Sequence, residues 1–406
     1  MRIVIAPDSF KGTLTAVQAC DAIAEGCRRA LPDADLRLLP VADGGEGTAK
    51  TLATATGGTV HPVTVTGPLR TPVEASYAVL GDGGTAVVEM AEAAGLLRLP
   101  PGAPREPLRA TTYGVGELIR AAAAHPGVTK LVVALGGSAT TDGGAGMLEA
   151  LGVAFCDPAG SLMHPGDTTF IEEYPDLWGV GSLYNVTQVD FDDAERFPNT
   201  AVEIACDVTN PLLGHNGAAH VFGPQKGASA EQVTFLDGAL REYADAMAKA
   251  TGRDVRDVPG AGAAGGTAAG LLWLFPQATL RPGIEIVLDA VGFDGVVRNA
   301  DILFTGEGRF DSQTAGGKAI FGIARRARQI NPAVHVHVLA GMVAPEVTPE
   351  FLHRLGIDGA TPMVSETTTQ EEALRNAFAT LARIAEHATK KVNDAFKLRQ
   401  AREAVG

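Results

Sequence analysis

The two ends of this sequence carry one pattern and the stretch between them carries another, and that mismatch constrains the fold more than any other feature. At the start, Arg2–Ala6 is a short β-branched run, Thr15–Ala30 has apolar residues at helical spacing, and Asp35–Val41 reads as a second strand. Towards the other end, Asp301–Thr305, Val334–Ala340 and Ala360–Val364 are strand-like, with helical patterns over Lys318–Gln329, Pro349–Leu355 and Gln370–Ala388. Strands that alternate with helices read as βαβ units with parallel pairing. The outer strands are expected to form a flavodoxin-like parallel sheet in the order 2-1-3-4-5. That order places a topological switch point beside the first strand, where such sheets bind ligands at the carboxyl ends of their strands.

The middle has a different texture. Thr59–Val65, Glu74–Val79 and Thr85–Met90 are closely spaced strand candidates separated by the turn sequences TGPLRTP and GDGG, which predicts antiparallel or mixed pairing. A helix over Val115–His125, a strand over Lys130–Leu135, a helix near Gly144–Leu151, a strand over Val202–Cys206 and a long helix over Ala230–Thr251 follow. The 406 residues exceed the roughly 250–300 at which a single core stops growing. The expected architecture is therefore α/β with two domains: a discontinuous flavodoxin-like domain from 1–56 and 288–390, and a mixed-sheet α/β domain, 57–287, inserted into it. The stretch Asp157–Asn199, rich in Asp, Pro and Tyr, is not placed by this reading.

Composition removes several function classes. A net charge of −14 opposes binding to nucleic acid, whose affinity rests on Lys and Arg neutralising phosphates. The most apolar stretch, Ala261–Phe275, is shorter than the roughly 18 residues of a membrane span and ends at Pro276. MRIVIAPDSF lacks the regions of a signal peptide, so a cytoplasmic location is expected. Cys20, Cys27, Cys156 and Cys206 have no CxxC spacing and read as reduced thiols. A homodimer is left open.

Chemistry-bearing residues gather at strand ends. The first strand is followed by Pro7-Asp8-Ser9-Phe10-Lys11-Gly12, the second by Asp43-Gly44-Gly45-Glu46-Gly47-Thr48, and the late strand by Gly306-Glu307-Gly308-Arg309-Phe310-Asp311. Glycines let backbone N–H groups approach an anion, and a following helix N-terminus adds positive potential. In the middle part, a strand runs into Leu135–Gly146 and a helix leaves it, so Gly136 and Gly137 with the hydroxyls of Ser138, Thr140 and Thr141 can cradle phosphate, and Asp142 follows them. Asp207 ends another strand, and Lys226 stands on a Gly-Pro turn. SQTAGGKA at Ser312–Ala319, with Lys318, only approaches a Walker loop. GAGAAGG at Gly260–Gly266 matches GxGxxG but follows DVRDVP instead of an apolar strand; it prompts a nicotinamide-dependent hydroxyacid oxidoreductase as the alternative reading. The histidines show no paired-ligand spacing for zinc, and no GxSxG elbow is present. A two-lobed binding protein without catalysis is a third reading.

Longer strings carry more. APDSFKGTLTA at Ala6–Ala16, PVADGGEGT at Pro40–Thr48, VEMAEAAGL at Val88–Leu96, TTYGVGELI at Thr111–Ile119, LGGSATTDGGAGMLEALG at Leu135–Gly152, CDVTNPLLG and VFGPQKGA between Cys206 and Ala228, PGAGAAGG at Pro259–Gly266 and TGEGRFDSQTAGGKA at Thr305–Ala319 resemble the bacterial glycerate kinase family, whose members often form 2-phosphoglycerate. The resemblance implies a two-domain α/β phosphotransferase in which ATP and Mg²⁺ meet glycerate in a cleft. On that reading Lys11, Asp43, Asp142, Asp207 and Glu307 are the catalytic candidates, and Mg²⁺ falls to Asp142, Asp207 or Glu307. The substrate and its phosphates fall to Asp8, Ser9, Gly44, Gly45, Lys226, Arg309, Asp311, Lys318 and the Gly136–Thr141 loop. Asp142 and Lys11 are expected to face one cleft.

Overall fold

Strand β1 (Arg2–Ile5), helix α1 (Ala16–Ala30) and strand β2 (Asp35–Leu38) open the chain of the computed structural model, which describes residues 1–42, 44–100, 102, 105–164, 179–311, 319–365 and 368–403. The middle supplies α2 (Thr48–Thr56), β3 (Thr59–Thr66), β4 (Pro72–Val79), β5 (Thr85–Glu89), α3 (Met90–Ala94), α4 (Tyr113–Ala123), β6 (Lys130–Ala134), α5 (Ala145–Ala150), β7 (Ala154–Cys156), β8 (Leu162–Met163), β9 (Gln188–Asp190) and β10 (Ala201–Ala205). It continues with α6 (Ala218–Phe222), α7 (Ala230–Thr251), α8 (Ala263–Leu274) and β11 (Thr279–Arg281). The last part holds α9 (Gly283–Ala290), α10 (Phe293–Val297), β12 (Ile302–Phe310), α11 (Ala319–Ile330), β13 (His335–Val343), α12 (Pro349–Arg354), β14 (Gly359–Pro362), α13 (Gln370–Arg375) and α14 (Ala377–Glu403). The chain divides into two units, Met1–Asp43 with Ile284–Gly406, and Gly44–Gly283. Helix α2 packs against β3, β4 and β5 and so goes with the second unit.

The outer unit is a five-stranded parallel sheet in the order β2-β1-β12-β13-β14. Numbered among themselves, those strands run 2-1-3-4-5, the order expected from the alternating pattern. Helix α1 starts where Thr15 and Gln18 form a reciprocal capping box, and its buried face carries Ala19, Cys20, Ile23 and Cys27. It packs on α14; a Cβ on Gly26 would lie 2.1 Å from the Ala382 carbonyl oxygen, so only glycine lets the helices come this close. Ile3, Ile5, Phe304, Leu339 and Leu381 complete this core.

Two expectations are corrected here. Strands β12 and β13 continue past Thr305 and Ala340, with Glu307 opposite Ala340 and Arg309 opposite Met342. The GEGR motif is therefore strand and not a loop behind one. A Cβ on Gly306 would lie 2.0 Å from the Leu339 oxygen, and one on Gly341 2.4 Å from the Gly308 oxygen, so glycine at these positions keeps the strands paired where side chains would part them. The helix expected over Gln370–Ala388 is two helices, interrupted at Asn376, which leaves helical geometry with φ −120° and ψ 39°.

The second unit has a mixed six-stranded sheet, β11-β10-β6-β5-β4-β3. Strands β5, β6, β10 and β11 pair in parallel, and β3-β4-β5 in antiparallel fashion, which follows from the short GPLR and GDGG turns between them. Every residue of β5 is buried, as a central strand covered on both faces requires. The stretch left unplaced by the sequence contributes β8 and β9 to a small antiparallel sheet, β8-β7-β9; residues 165–178 lie outside the described residues. Among the described residues no helix is long and apolar enough to cross a membrane.

Candidate functional site

In the outer unit, residues at the carboxyl ends of β1, β12, β13 and β14 enclose a cavity of about 400 Å³. The switch point predicted beside β1 thus has a pocket. Asp8 is tied to β12 through its N–H, which donates to the Gly306 carbonyl at 2.9 Å, and its Oδ1 accepts from the Ser9 N–H at 2.6 Å. The chain then turns sharply: Phe10 and Leu14 exchange backbone hydrogen bonds of 2.9 and 3.1 Å, and Gly12 takes φ +81°. This turn leaves Lys11 exposed at the cavity, beside Glu307 and Arg309 of β12. Arg309 pairs with Asp311 at 3.2 Å. Arg309 is exposed and Asp311 half-buried, and a pair whose guanidinium stands in solvent is worth little, so a phosphate can recruit the guanidinium at small cost. Asp43 and Lys318 lie outside the described residues.

In the second unit the parallel strands β5, β6, β10 and β11 end on one edge. A Cβ on Gly136 would lie 2.8 Å from Cα of Gly45; one on Gly44, which has φ +86°, would lie 2.8 Å from Cα of Gly283 and 3.6 Å from Oδ2 of Asp207. Gly44, Gly45, Gly136 and Asp207, read from separate motifs, therefore converge. Asp207 is exposed, and its Oδ1 accepts the Gly283 N–H at 2.8 Å. Gly137 and Ser138 run alongside α3: Leu96 N–H donates to the Gly137 carbonyl at 3.0 Å, and Ala139 N–H to Ala94 at 2.9 Å. Ser138 is buried.

Glu89, which the sequence reading did not single out, supports this edge from inside. It ends β5, and its carboxylate accepts the N–H groups of Gly47 at 2.8 Å and Ala49 at 2.5 Å, at the start of α2. Burial pushes its pKa up to about 7, against those two donors. The signal was available: a carboxylate closing the otherwise uncharged run TAVVE has to be partnered.

Asp142 and Lys226 occupy positions different from those the motifs suggested. Asp142 is 4% exposed, and its carboxylate holds the loop together: Oδ2 accepts from Thr112 N–H and Thr112 Oγ1, both at 2.8 Å, and from Gly146 N–H at 3.3 Å, while Oδ1 accepts from Gly144 N–H at 3.1 Å. The N-cap of α5 is Gly144, not Asp142. Lys226, expected to project from a turn, is 1% exposed, and Nζ donates to the Thr140 carbonyl. Burial raises the Asp142 pKa and lowers that of Lys226 to about 7, the Asp142 charge partly opposing the latter. Thr140 and Thr141, expected as phosphate donors, are sealed, and their hydroxyls find no partner among the described residues.

The GAGAAGG run explains this sealing. Gly143 N–H donates to the Gly265 carbonyl at 3.0 Å; a Cβ on Gly265 would lie 2.0 Å from the Thr140 oxygen, and one on Gly266 2.9 Å from Cα of Gly143. No strand precedes the run, and its glycines serve backbone packing against residues 140–143, which removes the ground for a nicotinamide reading. Among the described residues no group of three or more His, Cys, Asp or Glu is arranged to hold a metal ion.

Comparison with known proteins places these features in context. The profile of the glycerate kinase family matches residues 3–393. The glycerate kinase of Bacillus subtilis strain 168 is 45% identical over 386 residues, 95% of this chain and 96% of that protein. The glycerate 2-kinase of Escherichia coli K12 is 42% identical over 385 residues, 94% of this chain and 96% of that protein. A crystal structure classed as glycerate kinase 2, from Salmonella typhimurium LT2, has a TM-score of 0.84 and 41% identity, covering 98% of this chain and 99% of that one.

Proposed function

Because this chain belongs to the glycerate kinase family, we propose that it transfers the γ-phosphoryl group of ATP to D-glycerate, with the 2-hydroxyl as acceptor. The bond from the bridging oxygen to the γ-phosphorus breaks, a bond from the glycerate hydroxyl oxygen to that phosphorus forms, and the hydroxyl proton passes to a carboxylate. What carries the reading is a coincidence: Asp8–Lys11, Glu307–Arg309, Gly44, Gly45, Gly136 and Asp207, each within a string that resembles the family, lie at the carboxyl edges of the two sheets. Lys11 and Arg309 are suited to the phosphates of the nucleotide, since phosphoryl transfer is chiefly positioning and charge stabilisation. The Gly136–Ser138 segment, with Gly44 and Gly45, suits the anionic acceptor, and exposed Asp207 is the carboxylate suited to take its hydroxyl proton.

Magnesium enters this reading as part of the MgATP substrate. Mg²⁺ retains water and needs only one or two carboxylates besides the phosphates. Asp8 and Glu307 supply such oxygens at the cavity, which fits a metal delivered by the nucleotide better than a dedicated cage. Asp142, its oxygens already engaged by donors, is assigned to positioning the loop. The buried, unpaired Cys20 and Cys27 accord with the proposed cytoplasmic location.

The test is incubation of the protein with glycerate, Mg²⁺ and ATP, followed by phosphorus NMR. ADP and 2-phosphoglycerate are expected; 3-phosphoglycerate as main product would overturn the choice of hydroxyl, and absence of ADP release with any short hydroxy acid would overturn the reaction.

A further inference from the structure

The cavity of the outer unit has two unlike sides, sorted by strand order. On the β1–β12 side its lining is charged, with Asp8, Lys11, Glu307 and Arg309; on the β13–β14 side it is apolar, with Met342, Met363, Val364 and, from α13, Leu374. Resting on the phosphotransferase reading above, we propose that the apolar side is the subsite for the purine base of the nucleotide, which orients the phosphates towards β1 and β12.

Size and surface chemistry choose the occupant. About 400 Å³ is within the range of pockets that hold nucleoside-sized ligands and is far more than a three-carbon acid fills. Glycerate is hydrophilic at every carbon and has nothing to bury against two methionines, a valine and a leucine. A purine has two apolar faces, and thioether sulfurs pack well on aromatic rings. Leu374 is 53% exposed at the cavity, and a flat ring seated against Met342 would cover it. Gln370 precedes it by one helical turn and also lines the cavity, so its amide offers a donor and an acceptor to the edge of the same ring.

The full-length protein photolabelled with 8-azidoadenosine triphosphate, digested and mapped by mass spectrometry, tests the placement. Adducts are expected on peptides carrying Met342, Met363 or Leu374; adducts confined to residues 44–283 would overturn it. A variant at an exposed position guards against misfolding: Leu374→Asp should raise KM for ATP about tenfold and leave KM for glycerate where it was. A raised KM for glycerate with ATP unaffected, or no change in either, would also overturn the subsite. Phosphorylation of glycerate with the label in the other unit would sink this inference alone, whereas the expected label without glycerate turnover would uphold it and sink the choice of acceptor.

Discussion

Asp142→Asn separates a positioning carboxylate from one that meets substrate or metal. As an exposed N-cap, Asp and Asn would be nearly interchangeable. Here they are not, because the carboxylate is buried and accepts four hydrogen bonds from both sides. An asparagine can keep its oxygen towards Thr112 and Gly146, but its NH₂ then faces the Gly144 N–H and leaves a buried donor unsatisfied, a cost of about 1–3 kcal/mol. Removing the negative charge also strips Lys226 of its counter-charge. No ion pair joins the two among the described residues, Nζ donating to the Thr140 carbonyl, so the cost stays below the about 3–5 kcal/mol of breaking a contacting buried pair, and the amine can also shed its proton near neutral pH. A net loss of about 2–4 kcal/mol follows. For a unit of this size each kcal/mol moves Tm by roughly 2–4 °C, so calorimetry should show a drop on the order of 4–16 °C. Turnover should fall with it, because Gly143–Gly146 lose their anchor. An Asn variant that melts like the parent yet loses turnover by roughly 10²-fold or more would refute the argument and return Asp142 to direct contact with substrate or metal.

Four further outcomes are expected. In Glu89 the folded pKa, about 7, lies above the ordinary 4.5, so the folded state binds the extra proton; its stabilising contribution is full below 4.5 and is lost as pH rises to about 7. Urea midpoints across that window should decline in the parent relative to Glu89→Gln, and parallel curves would contradict the burial. For Lys226 the folded pKa is depressed towards 7, so the unfolded chain holds the proton between there and 10.5 and stability should climb with pH over that interval; Lys226→Met should lack the climb in melting scans. Gly265→Ala would force a Cβ to 2.0 Å from the Thr140 oxygen at φ +69°, and a loss of at least about 2 kcal/mol in denaturant titration is expected. Lys11→Met, at an exposed turn, should leave Tm unchanged and cut ATP-dependent turnover by roughly 10²-fold; parental turnover would remove Lys11 from the phosphate site.

The alternation of strands and helices at the two ends was enough to order the outer sheet, because a right-handed βαβ connection between buried parallel strands admits few topologies. The glycine and carboxylate strings likewise marked both sheet edges, since tight approach of backbone to an anion or to another backbone selects glycine whatever surrounds it. What such strings do not encode is which purpose a glycine serves. Gly260, Gly262 and Gly265 match a nucleotide motif letter by letter, yet Gly265 and the Gly266 that follows it admit the 140–143 backbone. Nor do they tell a carboxylate that faces solvent from one that is enclosed: Asp142 and Asp207 both follow strand ends, and only packing, through Thr112, Lys226 and the Gly260–Gly266 run, encloses the first and leaves the second exposed. The apolar side of the cavity was invisible for the same reason. Met342 on β13, Met363 just after β14 and Leu374 on α13 share no period, and it is the order β12-β13-β14 that brings them to one wall. Local spacing records what each element needs; burial is set by partners distant in the chain.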